Sequence, residues 1–417
     1  MRSLHKLPIA TVLAGALLLG ALPVYAAVTA FAGTKAVAAG GDKIFSVADY
    51  GALPGDGKDD TSAFQAALDA AAAKKGTVVV PRGNYSFNGT LTVPAGVTLQ
   101  GPLAEANPIN GQARLDIFST KNKESAAFLT LKADAKVSGI AFQYPSQISS
   151  RPFKYGWTIR LAGANTRVEN VYCKNAWQFL DIGTTSSPNH HVEHCNIWAY
   201  KTGVYVNKQT GAGTLKDIHI WPFDGSKDEW VRKNATGFLL GSAKNETLDG
   251  CFTIRYHIGY HFINGGNYTM QTSGADCGPT GMLIEKVGSL KATAGQFMHK
   301  VEITGTNTGR VELIACNFRR WSEQSIDWQL KASGSGEVIV DSCTFGSWDS
   351  KDTGSGAILA DGASLTVTGT DFMQAKTAVE LKAGIKKASI TECIMKGEVI
   401  IKNASSGTVK IEKNAAY

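Results

Sequence analysis

Proline is scarce in this chain, 12 of 417 residues, and charge is both modest at 18% and poorly polarised, with 42 Lys and Arg against 35 Asp and Glu. Alongside 43% apolar residues and 45 Gly, these values exclude a disordered or proline-rich chain and fit one large globular domain with a sizeable core. The net charge of +7 comes without a basic, aromatic-interleaved patch, which excludes a nucleic-acid reader; the excess suits an acidic polymer as partner. There is no zinc-type Cys-x-x-Cys pair, and seven cysteines, an odd count, argue against a disulfide framework. Long hydrophobic runs are missing except for residues 7–22. That run follows Arg2, His5 and Lys6 and precedes Val24-Tyr25-Ala26, a small-x-small cleavage pattern. It is shorter than the ~20 residues a spanning helix needs. Residues 1–26 are therefore expected to be a removed export signal, 27–43 a flexible lead-in and 44–417 the folded domain, secreted or periplasmic and free of the membrane once the signal is gone. Losing Arg2 and Lys6 leaves 40 basic against 35 acidic residues, or +5.

The most concentrated acidic stretch is YGALPGDGKDDTSAFQAALDAAAAKKGTVVVPRGNY, residues 50–85. Gly55-Asp56-Gly57 reads as a chain reversal, and Asp59, Asp60 and Thr61 fall where helix N-cap acceptors belong. Ala63, Phe64, Ala67, Leu68 and Ala71 then recur at helical spacing, which predicts a one-sided helix over 61–73. A calcium loop would need ligands at alternate positions and a closing Glu twelve residues on; neither is present. The acids are expected to be structural, and no metal or cofactor is expected.

Short strands with Gly and Pro punctuation follow. The string FSVADYGALPGDGKDDTSAFQAALDAA…GTVVVPRGNYSF…LTVPAGVTLQG, between Phe45 and Gly101, resembles the N-terminal signature of the pectate-lyase-superfamily β-helix proteins. These include polygalacturonases, alginate epimerases, β-1,3-glucanases and phage tailspikes. The resemblance implies an all-β chain wound as a single-stranded, right-handed parallel β-helix with a short N-terminal capping helix. It says little about the reaction, because the motif lies at the capped end.

A repeat supports the same solenoid independently. The segments VSGIAF, VENVYC, VEHCNI, LKDIHI, LDGCFT, LIACNF, VDSCTF, VTGTDF and ITECIM place Ile140, Val171, Cys195, Ile218, Cys251, Cys316, Cys343, Thr370 and Cys393 at equivalent positions, 23 to 33 residues apart with one gap of 65 that must hold an extra or irregular coil. The preceding column reads Gly139, Asn170, His194, Asp217, Gly250, Ala315, Ser342, Gly369 and Glu392, a selection suited to a left-handed bend. His194 and Asp217 are thus turn residues before they are catalysts. The cysteines fall mostly in the inward column and read as small buried hydrophobes. His190, His191 and His194 could ligate a metal, but a polar loop entering the bends is the simpler reading.

Strand alternation assigns the outward residues. Tyr172 and Lys174, Asn196 and Trp198, His219 and Trp221, then Arg255 in a less certain register, then Asn317 and Arg319 form one outward face. Trp198 and Trp221 should be stacked neighbours beside His219, exposed to a sugar or covered by a loop of the chain itself. Arg160, Asp181 and Tyr205 form a second outward column. The insertions 221–237, carrying Asp224, Asp228, Glu229 and Trp230, and 255–270 leave the coils here, and long loops on a rigid scaffold are where binding residues concentrate.

These features point to a carbohydrate-active protein that binds and cleaves a polysaccharide, as a glycoside hydrolase or a lyase; a non-catalytic saccharide binder, a surface spike and an epimerase are the alternatives. For hydrolysis, two of Asp181, Asp224, Asp228 and Glu229 would serve as acid and base. For elimination, His219 would be the base and Arg255 would pair with a uronate. Trp198, Trp221, Trp230 and Tyr205 would line the substrate. The chain has no Gly-His-Gly, no Asn-Thr-Asp, no Asp-Pro-His and no Asp-Asp pair outside the cap loop, so no catalytic residue carries over from the families it resembles.

Overall fold

A computed structural model describes residues 43–102, 112–223, 229–320, 326–362 and 364–417. The expected export signal and most of the expected lead-in lie outside the described residues. Among the described residues the strands pair in parallel, and 37 of them form one continuous array in which a strand bonds to its equivalents in the adjacent coils. The chain is an all-β parallel β-helix. One inward column shows the stacking: Leu91, Leu129, Ile159, Leu180, Val204, Phe238, Tyr260, Met282, Val301, Leu330, Ile358, Val379 and Ile401 are successive register partners. All but Ile401 are buried. Each coil therefore removes its apolar face from water only by stacking on its neighbours.

All nine residues of the bend column have positive φ, from 49° at Asp217 to 70° at Gly139. Thr272 and Ala294 do so as well, at 47° and 54°. The 65-residue gap therefore holds two regular coils, whose bends are followed by Ser273 and Gly295 where the other coils carry an apolar residue, Cys or Thr.

The cysteine column is buried, as expected, but burial is only part of its logic. The thiols of Cys251, Cys316, Cys343 and Cys393 each donate to the carbonyl two residues earlier and to a carbonyl of a preceding coil. Cys316 N in turn donates to Cys343 Sγ at 3.3 Å. Ser273 and Thr370 accept from Cys251 N and Cys343 N in the same way. The column satisfies the backbone of the bend, which a purely apolar side chain would not do. All seven cysteines are free thiols.

The three histidines diverge. His190 points inward: its Nε2 lies 2.8 Å from Glu246 Oε1, and its Nδ1 lies 2.8 Å from Ser187 O. They meet across Gly213, where a Cβ would come within 2.2 Å of the His190 ring and 2.4 Å of the Glu246 carboxylate. His191 pairs with Glu193, and His194 in its bend pairs with Asp217. Among the described residues no three His, Cys, Asp or Glu side chains converge on a metal position, and no helix is long and apolar enough to cross a membrane.

Helix α1 (Thr61–Ala72) closes the N-terminal end and buries Phe64, Ala67, Leu68 and Ala71. The acidic loop is architecture of a further kind. Asp59 Oδ1 accepts from Thr61 N, but also from Asn88 N; Asp60 accepts from Leu53 N and Ser86 N. Thr61 Oγ1 accepts from Gly89 N, and Gln65 accepts from and donates to Thr92. These side chains occupy the open edge of the first coil, which would otherwise present unpaired amides. Asp60→Ala orphans two amides at a buried position and is expected to cost about 1–3 kcal/mol, seen as a lower melting temperature. Melting should not depend on calcium in either protein; a calcium shift abolished by the substitution would contradict the structural role.

Candidate functional site

The outward column runs Asn84, Arg114, Ala141, Tyr172, Asn196, His219, Phe252, Gly274, Gln296, Asn317, Thr344 in register. In its middle, aromatic side chains accumulate because Phe223, just past Trp221-Pro222, lies over the strands. Phe223 is the hub: it stacks on Tyr172 at 4.9 Å and meets Trp198 and Trp221 edge-on at 6.2 and 5.0 Å. Trp221 stacks on His219 at 5.4 Å, and His219 meets Phe252 edge-on at 6.2 Å.

The same band continues through Tyr200, whose ring lies 5.6 Å from Trp198, to Trp230. Trp230 sits on α2 (Glu229–Asn234) and donates its Nε1–H to Tyr200 O. Its ring lies 6.3 Å from Trp177. Trp177 Nε1–H donates to Glu124 at 2.6 Å, and Lys201 Nζ lies 3.2 Å from the same carboxylate oxygen. Burial alone would raise the Glu124 carboxyl, but these two hydrogen bonds and the charge of Lys154 outweigh it and hold the group below its ordinary value. Tyr256 pins the band from below, its hydroxyl donating to Ala199 O and accepting from Ala199 N.

Several expectations change here. Trp198 occupies its expected outward position but is only 2% exposed, because Phe223 covers it. Trp221 and His219 are half-buried neighbours. The outward pair of the next coil is Phe252 and Ile254; Arg255 follows them in a left-handed bend at φ 65° and donates its amide to Asp276 O. Arg160, Asp181 and Tyr205 do form one register column. Asp181 is nevertheless fully buried, taking Arg160 Nε at 2.6 Å and the amides of Gly183 and Thr184, so it holds a turn together. Tyr205 stacks on Trp157 at 6.0 Å. Glu229 is exposed and paired with Lys233, whose hydrogen bond and charge lower its pKa. Asp224 and Asp228 lie outside the described residues. Phe223, Trp177, Tyr200 and Glu124 were not anticipated; Phe223 follows Trp221-Pro222 directly, but nothing local to Glu124 marks it as the partner of Trp177.

Among the described residues, four polar atoms in this region are buried without a hydrogen-bond partner: Trp198 Nε1, Trp221 Nε1, His219 Nε2 and Asn175 Oδ1. Burial lowers the His219 pKa, so the imidazole is neutral at neutral pH. The arrangement offers ring faces, indole donors and one unprotonated base; it does not bring two carboxylates together among the described residues.

Residues 44–125 match the family described as rhamnogalacturonase A/epimerase, pectate lyase-like. No curated protein matches the chain in sequence. Among solved structures, the catalytic unit of a thermostable GH87 α-1,3-glucanase from Streptomyces thermodiastaticus strain HF3-3 is similar with a TM-score of 0.58 at 14% identity, over 91% of this chain and 71% of that one. The N-terminal fragment of gene product 12 of bacteriophage Phi29 gives 0.61 at 12% identity, over 89% and 70%. A mutant tailspike protein of E. coli bacteriophage HK620 in complex with a hexasaccharide gives 0.50 at 12% identity, over 90% and 78%. At these identities the likeness is one of fold alone, the right-handed parallel β-helix.

Proposed function

We propose that this β-helix binds a polysaccharide along its aromatic band and cleaves it by elimination, with His219 as the base. The carrying observation is the half-exposed strip of Trp221, Phe223, Phe252 and Trp230 around a neutral imidazole. Sugar rings present apolar faces that suit such side chains, and their hydroxyls can donate to an imidazole nitrogen. The likeness to a glucanase and to a saccharide-bound tailspike supports a polysaccharide as the ligand.

In the elimination, the His219 imidazole takes the proton from the carbon beside a uronate carboxylate, and that electron pair forms the carbon–carbon double bond. The glycosidic oxygen leaves with its electrons and takes a proton from water, giving a hydroxyl. Arg255, at the bend of the coil that follows His219, would pair with the carboxylate and stabilise the charge that develops on it. Hydrolysis needs an acid and a base or nucleophile; of its candidates, Asp181 is committed to a turn and Glu229 pairs with Lys233, while Asp224 and Asp228 lie outside the described residues.

Phe223 favours a second reading, in which the protein only binds: its ring fills the middle of the band. Incubation with a panel of neutral and acidic polysaccharides separates the readings. Ultraviolet absorbance of unsaturated uronides supports elimination, new reducing ends without it indicate hydrolysis, and retention without products indicates binding alone.

A further inference from the structure

Two loops of successive coils, residues 118–126 and 144–156, are clasped together beside the aromatic band. Lys121 and Tyr155 form an antiparallel bridge, Asn122 N donates to Lys154 O, and Gly156 N donates to Thr120 O. Gln147 pins the second loop on itself, accepting from Phe153 N and donating to Phe153 O. Backbone bonds thus hold the pair in one shape.

Its charge is one-sided. The loops carry Lys121, Lys123, Arg151 and Lys154 against a single carboxylate, Glu124, which already accepts from Trp177 Nε1 and lies 3.2 Å from Lys201 Nζ. All four cations are exposed, and among the described residues none of them forms an ion pair. Lys121 instead sets its Nζ 3.4 Å from the centre of the Phe153 ring. Elsewhere along the solenoid such groups are matched, as Lys136 is with Glu169, Lys331 with Glu302 and Lys382 with Glu380. Like charges fixed on one rigid loop pair repel one another, and an anionic ligand removes that cost.

We propose that this loop pair binds an anionic polysaccharide, through carboxylates or sulfates on its sugars, as the continuation of the aromatic band. The inference rests on the proposed function for the nature of the polymer and adds a second site to it. Continuity carries the assignment: Trp177, bonded to Glu124 of the first loop, lies 6.3 Å from Trp230, so the loops begin where the band ends. A lipid surface would ask for a cluster of apolar side chains among the cations, whereas Phe118 and Ile148 are the only exposed large hydrophobics on these loops. Exposed ion pairs are individually weak, but several acting on one polymer add, and salt screens them.

Calorimetric titration of the full chain with polygalacturonate, alginate and dextran sulfate, and with methyl-esterified polygalacturonate and dextran as uncharged counterparts, tests the proposal. At low ionic strength a charged polymer should bind about tenfold or more tightly than its uncharged counterpart, an advantage that shrinks as salt is added. Preference for the first two polymers assigns the site to carboxylates, and preference for dextran sulfate assigns it to sulfates. The variant Lys121→Gln, Lys123→Gln, Arg151→Gln, Lys154→Gln changes exposed positions only. It should keep the native melting temperature and the native affinity for uncharged polymer while losing most of the advantage. No preference for any charged polymer in the native protein overturns the proposal, as does a preference that the fourfold variant retains. So does binding of phosphatidylglycerol vesicles through these four residues with no acidic polymer bound. Trp221→Ala, Trp230→Ala separates the two sites: charge-dependent binding that survives in it leaves the loops standing without the band, and uncharged-polymer binding lost in it leaves the band standing without the loops.

Discussion

Glu246→Ala is expected to lower stability by about 3–5 kcal/mol, because it removes one partner of a buried pair and leaves the other without compensation. His190 and Glu246 are both essentially inaccessible, and Glu246 Oε2 has no hydrogen-bond partner among the described residues. The geometry forbids easy collapse: the two side chains meet over a glycine, with β-helix coils on either side. Exchanging both residues for Leu is expected to cost much less than Glu246→Ala, since it removes the charges together.

A pH dependence follows from the same pair. Burial alone would lower the His190 pKa, but the charge and hydrogen bond of Glu246 override it and raise the value above the ordinary one. The folded state therefore holds this proton more tightly than the unfolded state does. Its stabilising contribution is complete below the unfolded value of about 6.5 and is lost as the pH rises through the higher folded value. Urea unfolding midpoints should fall over that window in the native protein, and His190→Gln should flatten this part of the profile. A profile that the substitution leaves unchanged would assign the titration elsewhere.

His219→Ala should slow cleavage by about 10²- to 10⁴-fold, the range a general base contributes, while polysaccharide affinity changes far less. The split matters because a merely structural histidine would affect binding and turnover together. Burial lowers the His219 pKa, so the active, unprotonated form should persist below the pH at which a free histidine would be protonated, with activity falling only on further acidification. His219→Gln, which keeps much of the ring's volume but not its basicity, should retain affinity without turnover. Equal turnover in native and variant protein would remove His219 from the mechanism.

What the sequence revealed and what it hid divides along physical lines. The bend column was legible because left-handed backbone selects Gly, Asn and Asp often enough to show a period, even where Ala315, Ser342 and Glu392 occupy it. The two coils at Thr272 and Ala294 escaped because Ser273 and Gly295 interrupt the apolar pattern. The cap helix and its aspartates were legible locally, but their contacts to Ser86 and Asn88 on a different strand were not. The register of Asp181 beside Arg160 could be counted, but its complete burial depends on side chains from other turns. Trp198 shows the same limit: alternation placed it outward, and only the return of Phe223 decides that it never meets solvent. Pairs such as Trp177 with Glu124 and His190 with Glu246 join separate coils, and no local period encodes them.

The central claim, that the aromatic band holds a polysaccharide, is tested most directly by calorimetric titration of the folded native protein and of a Trp221→Ala, Trp230→Ala variant with the polymer that the panel identifies. Each ring contributes on the order of 1–2 kcal/mol when a sugar covers it, so the double variant should bind about 30-fold or more weakly, with its melting behaviour otherwise preserved. Unchanged affinity in the double variant, or no saturable binding of any polysaccharide by the native protein, would contradict the account.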